Sequence, residues 1–354
     1  MPEHTSFDPY APCPEVCTAS AEQARMRQAQ LTKPPGSLGQ LEDIAIWLAG
    51  AQATEAISAQ RVAITLFAAD HGITAQGVSL YPSAVTAQML QNFAGGRAAI
   101  SVLAKGLGAR LEIVDVGVAT DQQIDGVVSD KQGHGTRDFS VEAAMTSAEL
   151  SYALGAGARA VDRMATFNPD IAAFGEMGIG NTTTAAALLA ALTGHSASDV
   201  TGAGTGLDQS GIAHKAGVIE CAIARHDLHG PQVTVERALL SVGGYEIAAM
   251  TGGMIAAAQR RIPVLVDGFI ATVAALVGTR MTPSLRPFLA FGHRSAERGH
   301  DVALDALHAK PILDLGMRLG EGSGAAVAVA VLRHACDLHT QMATFAEAGV
   351  SGPE

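Results

Sequence analysis

Aromatic side chains are scarce. They make up 4% of 354 residues, with one Trp and four Tyr, while Gly alone contributes 39. That balance argues against a β-sandwich or barrel core and for small residues that let helices lie close on a sheet. Cysteine is equally sparse. Cys13, Cys17, Cys221 and Cys336 are too few for a disulfide framework in a chain this long, so reduced thiols are expected. Cys13 and Cys17 could offer two metal ligands, but no second pair of suitable spacing follows. Basic residues are outnumbered: 23 Lys and Arg against 34 Asp and Glu give a formal net charge of −11. A nucleic-acid surface needs clustered cations and is not expected. A small anion held by local donors remains possible. No apolar run reaches the roughly 18 residues a membrane helix needs. Met1-Pro2-Glu3-His4-Thr5 lacks the basic and apolar regions of a signal peptide. The expectation is a cytoplasmic protein with neither nucleic-acid nor membrane partners.

Hydrophobic residues amount to 48%, enough for a large core. Short apolar runs at 61–68, 111–118, 170–174, 263–268, 288–291 and 312–315 read as six buried strands. Stretches at 20–31, 40–53, 83–94 and 146–163 read as helices between and before them. Strands alternating with helices call for a mostly parallel α/β sheet. Residues 119–139 are polar and Gly-rich and read as a long loop. Helical pieces at both ends, the tail at 336–350 included, fall outside the strand pattern. They suggest a small helical domain, 1–58 plus 336–354, beside a large α/β domain, 59–335.

Each strand exits into polar or Gly-rich residues, which is where open α/β sheets place ligands. After the last strand comes Gly316-Met317-Arg318-Leu319-Gly320-Glu321-Gly322-Ser323-Gly324, then an Ala/Val-rich helix. Glu321 reads either as a catalytic or ligand-binding acid or as an acid favoured by the helix dipole. Gly175-Glu176-Met177-Gly178-Ile179-Gly180-Asn181-Thr182-Thr183-Thr184 is neither a Walker A loop nor G-x-G-x-x-G. It offers backbone N–H groups to a phosphate, or simply a helix capped by Asn181 and Thr182. Gly202-Ala203-Gly204-Thr205-Gly206 is a second such turn, with Lys215 following. Together they suit a phosphorylated sugar, although Lys215 could be a solvated surface residue. Asp70 and His71, after the first strand, could be a metal pair or a hydrogen-bonded structural pair. Lys33-Pro34-Pro35-Gly36-Ser37-Leu38-Gly39 cannot be helix or central strand. Tyr81 lies in a loop long enough to cover a pocket, and His226 and His229 read as surface residues.

These runs, with Gly243–Ile247, Asp267–Ile270, His293–Glu297, His300 and Met342–Phe345, occur in an order that resembles the nicotinate-nucleotide–dimethylbenzimidazole phosphoribosyltransferase family of the cobalamin pathway. The resemblance runs from about residue 20 to 350. It implies a Rossmann-like sheet, a helical domain from both termini, a homodimer, and no metal or organic cofactor. It also implies transfer of phosphoribose from nicotinate mononucleotide to 5,6-dimethylbenzimidazole, with inversion at C1′. By the same resemblance Glu321 is the general base and Glu176 stands on the ribose side. Tyr81, Ser83, Gln88 and Leu319 hold the base. Gly178, Gly180, Asn181, Thr182, Gly204 and Lys215 hold phosphate and ribose. Ala203 is a departure, since Arg or Pro often follows the first Gly of that turn in the family. A dinucleotide-dependent oxidoreductase predicts G-x-G-x-x-G near the first strand, which is missing. A ligand carrier predicts no turnover, and a metal hydrolase built on Asp70 and His71 predicts loss to chelators.

Overall fold

The computed structural model describes residues 7–351, so the Met1–Thr5 stretch lies outside the described residues. Seven strands form one parallel sheet: β1 (Val62–Ala69), β2 (Arg110–Gly117), β3 (Val127–Ser129), β4 (Ile171–Met177), β5 (Val264–Val266), β6 (Leu289–His293) and β7 (Pro311–Leu313). Their order is β3-β2-β1-β4-β5-β6-β7. The chain therefore winds outward from β1 on one side, then returns to β4 and winds outward on the other. The reversal between β1 and β4 opens a crevice at the carboxyl edge.

The six-strand expectation is corrected by β3. It lies inside the expected 119–139 loop and pairs Val127–Ser129 with Ile113–Asp115 of β2. Three residues behind Gly126, two half-buried and the third exposed, make no apolar run. Only the free edge of β2 turns them into a strand.

Alternate residues of a strand face opposite sides, and β1 feeds two separate cores accordingly. Ala63, Phe67 and Ala69 enter one; Val62, Ile64, Leu66 and Ala68 enter the other. Helices Ser147–Ala165, Asn181–Thr193, Tyr245–Gln259 and Phe269–Met281 cover the first face. Helices Gln40–Gln52, Ala84–Ala94, Ala99–Leu107 and Ser323–Gln341 cover the second. Phe67 and Phe174 stack across β1 and β4 with ring centroids 6.1 Å apart.

The ends of the chain meet. Leu31 bridges Thr344, and the Arg27 guanidinium donates to the carbonyls of His339, Thr340 and Met342. The expected tail helix differs in detail. Ser323–Gln341 is one continuous helix, so the boundary drawn at 336 falls within it, and only Phe345–Ala348 follows. Among the described residues no helix is long and apolar enough to cross a membrane.

Candidate active site

A cavity of about 440 Å³ lies at the carboxyl edge of the sheet. Its wall takes Glu176 from the end of β4, Asp267 from the residue after β5, and Glu321 from the turn beyond β7. β4 and β5 are adjacent in the sheet and β7 lies further out, beyond β6, though all three are far apart in sequence.

Glu321 sits in an unusual backbone. Gly320, Glu321 and Gly322 all have positive φ, at 85°, 65° and 86°. Two of these positions suit glycine; the middle one costs a side chain roughly 1 kcal/mol or more. The turn lies so close on β4 that a Cβ on Gly175 would overlap the Glu321 carbonyl. Glu321 is 6% exposed, and its Oε2 accepts from the Ile100 N–H at 3.4 Å. An acid at a helix N-terminus was one sequence reading, and such a contact exists. The helix, however, is Ala99–Leu107, not the one that follows Glu321. Burial raises the Glu321 carboxyl above its ordinary range, the Ile100 N–H opposes, and Asp267 adds to the rise.

Glu176 is pushed up to about 8 by burial, with Glu246 and Asp267 reinforcing. Its Oε1 accepts from the Glu321 N–H at 3.4 Å, and its Oε2 accepts from the Asn181 amide. Gly178 must be small, because a Cβ there would overlap the Ala69 carbonyl. Gly180 has φ 97° and begins the Asn181–Thr193 helix. Gly178, Asn181, Thr182 and Gly204 line the cavity. Gly180 is next to that wall, and Lys215 is behind it. Lys215 is no solvated surface residue. It is 1% exposed, and its Nζ donates to Thr182 Oγ1 at 2.8 Å. Burial pulls its ammonium down to about 8, while Glu297 opposes.

Tyr81 and Leu319 are half-exposed at the cavity. Ser83 and Gln88 are not in its wall. Ser83 Oγ pairs with Thr74 Oγ1 at 3.0 Å, and Gln88 is exposed. Their helix, Ala84–Ala94, instead sends Val85 and Met89 inward, one turn apart.

Asp70 and His71 do not pair with each other. His71 Nε2 meets Glu246 Oε1 at 3.0 Å and Nδ1 meets Thr184 Oγ1 at 2.9 Å. Asp70 Oδ2 accepts from the Ala119 N–H. Among the described residues no three His, Cys, Asp or Glu are grouped to hold a metal ion. The four cysteines are free, and His226 is half-buried with Nε2 on the Phe139 carbonyl.

Asp267, Glu297 and Arg318 line the cavity, yet no residue-level reading singled them out. Asp267 had a signal: an acid and a glycine directly after a buried strand. Arg318 had one too, three residues before Glu321. Its Nη1 donates to the Gly204 carbonyl at 3.2 Å, spanning two of the Gly-rich turns.

The model of a family described as Phosphoribosyltransferase matches residues 13–350. A protein named nicotinate-nucleotide--dimethylbenzimidazole phosphoribosyltransferase from Bradyrhizobium sp. (strain ORS 278) is 60% identical over 342 residues, 97% of this chain and 97% of its own length. One of the same name from Pseudomonas putida (strain W619) is 54% identical over 340 residues, 96% of each. The crystal structure of the enzyme of that name from Thermus thermophilus superposes with a TM-score of 0.90 at 40% identity, covering 96% of this chain and all (100%) of the other.

Proposed function

The chain belongs to the nicotinate-nucleotide–dimethylbenzimidazole phosphoribosyltransferase family, enzymes of cobalamin biosynthesis, and on that premise we propose that it moves the 5-phosphoribosyl group of nicotinate mononucleotide to 5,6-dimethylbenzimidazole with Glu321 as general base. One observation carries the reading. A buried carboxyl whose affinity for a proton is raised faces the same cavity as the Gly178, Thr182 and Gly204 turns.

The unprotonated ring nitrogen of the benzimidazole attacks C1′. The bond from C1′ to the pyridine nitrogen breaks, and its electron pair leaves with nicotinate. The new base would be cationic, so its N–H proton passes to Glu321. Attack from the face opposite nicotinate inverts the β bond to an α bond and gives α-ribazole 5′-phosphate. C1′ gains oxocarbenium character on the way. Glu176 stands on the ribose side, and positive charge developing there favours its ionised form. Gly178, Gly180, Asn181, Thr182, Gly204 and Lys215 take the phosphate and ribose. The turn keeps its backbone donors with Ala203 in place. Arg318 is a cation in the same wall and adds to the attraction for a doubly anionic substrate. Tyr81 and Leu319 receive the base beside Val85 and Met89, with Ser83 and Gln88 farther out.

The direct test incubates the purified protein with nicotinate mononucleotide and 5,6-dimethylbenzimidazole and reads product mass and anomeric configuration. Adenine in place of the benzimidazole tests the acceptor range. Glu321→Gln should still bind both substrates and lose at least about 10²-fold in kcat, the usual worth of a general base. Undiminished turnover in that variant removes Glu321 from the role. The homodimer implied by the family belongs to the same proposal, and sedimentation velocity tests it.

A further inference from the structure

The chemistry above gives parts to Glu321 and Glu176 and leaves a third buried acid of the cavity wall without one. We propose that Asp267 is a positioning residue: it fixes the left-handed turn that presents Glu321 to the incoming base. The inference rests on the reading of Glu321 as that base.

The turn needs holding. Three successive residues with positive φ include one with a side chain, and such a conformation persists only where its surroundings impose it. The helix that follows, Ser323–Gln341, has no side-chain cap on its preceding residue, Gly322, so its first N–H groups need acceptors from elsewhere. Asp267 supplies them. Its Oδ2 accepts from the Gly322 N–H at 3.1 Å and its Oδ1 from the Ala325 N–H at 2.8 Å. One carboxylate thus grips both the residue directly after Glu321 and the first turn of the helix. The side chain is 2% exposed and starts directly after β5, so the grip is anchored in the sheet. Glu176 accepts from the N–H of Glu321 itself.

Both oxygens of Asp267 face N–H donors, which suits the anion. Burial pushes the other way, and the neighbouring His293 and the backbone N–H groups oppose it. The ionisable groups around it are Glu176 from β4, with Glu246 behind it on the Tyr245–Gln259 helix, His293 from β6, and Glu321. His293 Nε2 is 3.8 Å from Asp267 Oδ1 and has no hydrogen-bond partner. A negative Asp267 near Glu321 helps keep that base avid for its proton.

A double-mutant cycle tests the proposal. Asp267→Asn keeps the shape but turns one N–H···O contact into N–H facing N–H. It should lower kcat at least about 10-fold and leave KM for nicotinate mononucleotide within about threefold. Removing the negative neighbour lowers the proton affinity of Glu321, so the acid limb of the kcat/KM profile should move to lower pH. Added to Glu321→Gln, Asp267→Asn should change the residual rate less than about threefold, because it acts through a group already gone. Full additivity of the two losses, or wild-type kcat in Asp267→Asn, overturns the proposal. Full turnover in Glu321→Gln alone overturns the earlier reading instead, so the two failures are distinguishable. A thermal melt checks the fold. If Asp267→Asn is not recovered folded, Asp267→Ser, which offers one uncharged acceptor, goes through the same cycle with the same outcomes.

Discussion

Thr182 stands between a buried cation and the cavity. Its hydroxyl accepts from Lys215 Nζ, and the same residue lines the wall. A single ammonium at this depth is costly without a partner, which is why it is pulled down to about 8. An incoming phosphate would raise its affinity for the proton again. Thr182→Val keeps the volume and removes the acceptor. A lost hydrogen bond to a charged group is worth about 1.5–3 kcal/mol, so KM for nicotinate mononucleotide should rise about 10- to 150-fold at pH 7 in steady-state kinetics. An unchanged KM would take Thr182 and Lys215 away from the phosphate end. At this scale the sequence was only half legible. Lys215 is an ordinary lysine in an ordinary helix until the fold places it against the Asn181–Thr193 helix. Asp267 looked like any acid after a strand until two backbone N–H groups were found on it.

The elements are held together by what their glycines omit. Helices Ser147–Ala165 and Tyr245–Gln259 approach backbone to backbone on one face of the sheet. A Cβ on Gly157 would overlap the Ala249 carbonyl, and one on Gly252 would overlap the Leu154 carbonyl. Neither obstacle is the end of a flexible side chain, so the helices would have to separate. Gly252→Ala should therefore destabilise by about 1–3 kcal/mol, despite the better helix propensity of Ala. Urea unfolding with an unchanged m-value measures it, and a neutral or stabilising result would show that the two helices are not packed this closely. The same shortage of bulk was visible in composition as few aromatics and much Ala and Gly. Which glycines mark crossings was not, because a contact point depends on the partner helix, about 95 residues away.

Across the whole molecule, buried acids concentrate at one edge of the sheet. Glu176, Asp267 and Glu321 are each raised by burial, and Glu246 is fully buried behind them. An acid whose folded value lies above its unfolded one binds more protons when native, so stability falls as pH rises between the two. For Glu176 that window runs from 4.5 to about 8. Each unit of separation is worth about 1.4 kcal/mol, and about 1 kcal/mol moves Tm ~2–4 °C in a large domain. Wild-type Tm should thus fall more steeply than that of Glu176→Gln from pH 5 to pH 8, by at least about 2 °C. Parallel profiles in a scanning calorimeter would mean that Glu176 is already ionised at pH 5.

Local patterns determined the class of this protein. Apolar runs of strand length set between helical periods require a parallel sheet, and glycine next to polar groups at strand exits requires ligand-sized turns there. Those properties depend on neighbours in the chain, which a sequence displays. Tertiary structure decided the rest: that β3 completes an edge, that His71 turns to Glu246 and not to Asp70, that Val85 and Met89 rather than Ser83 and Gln88 face the cavity, and that Glu321 is held by two other acids. Each of these depends on groups brought together across the sheet, where distance along the chain says nothing about distance in space.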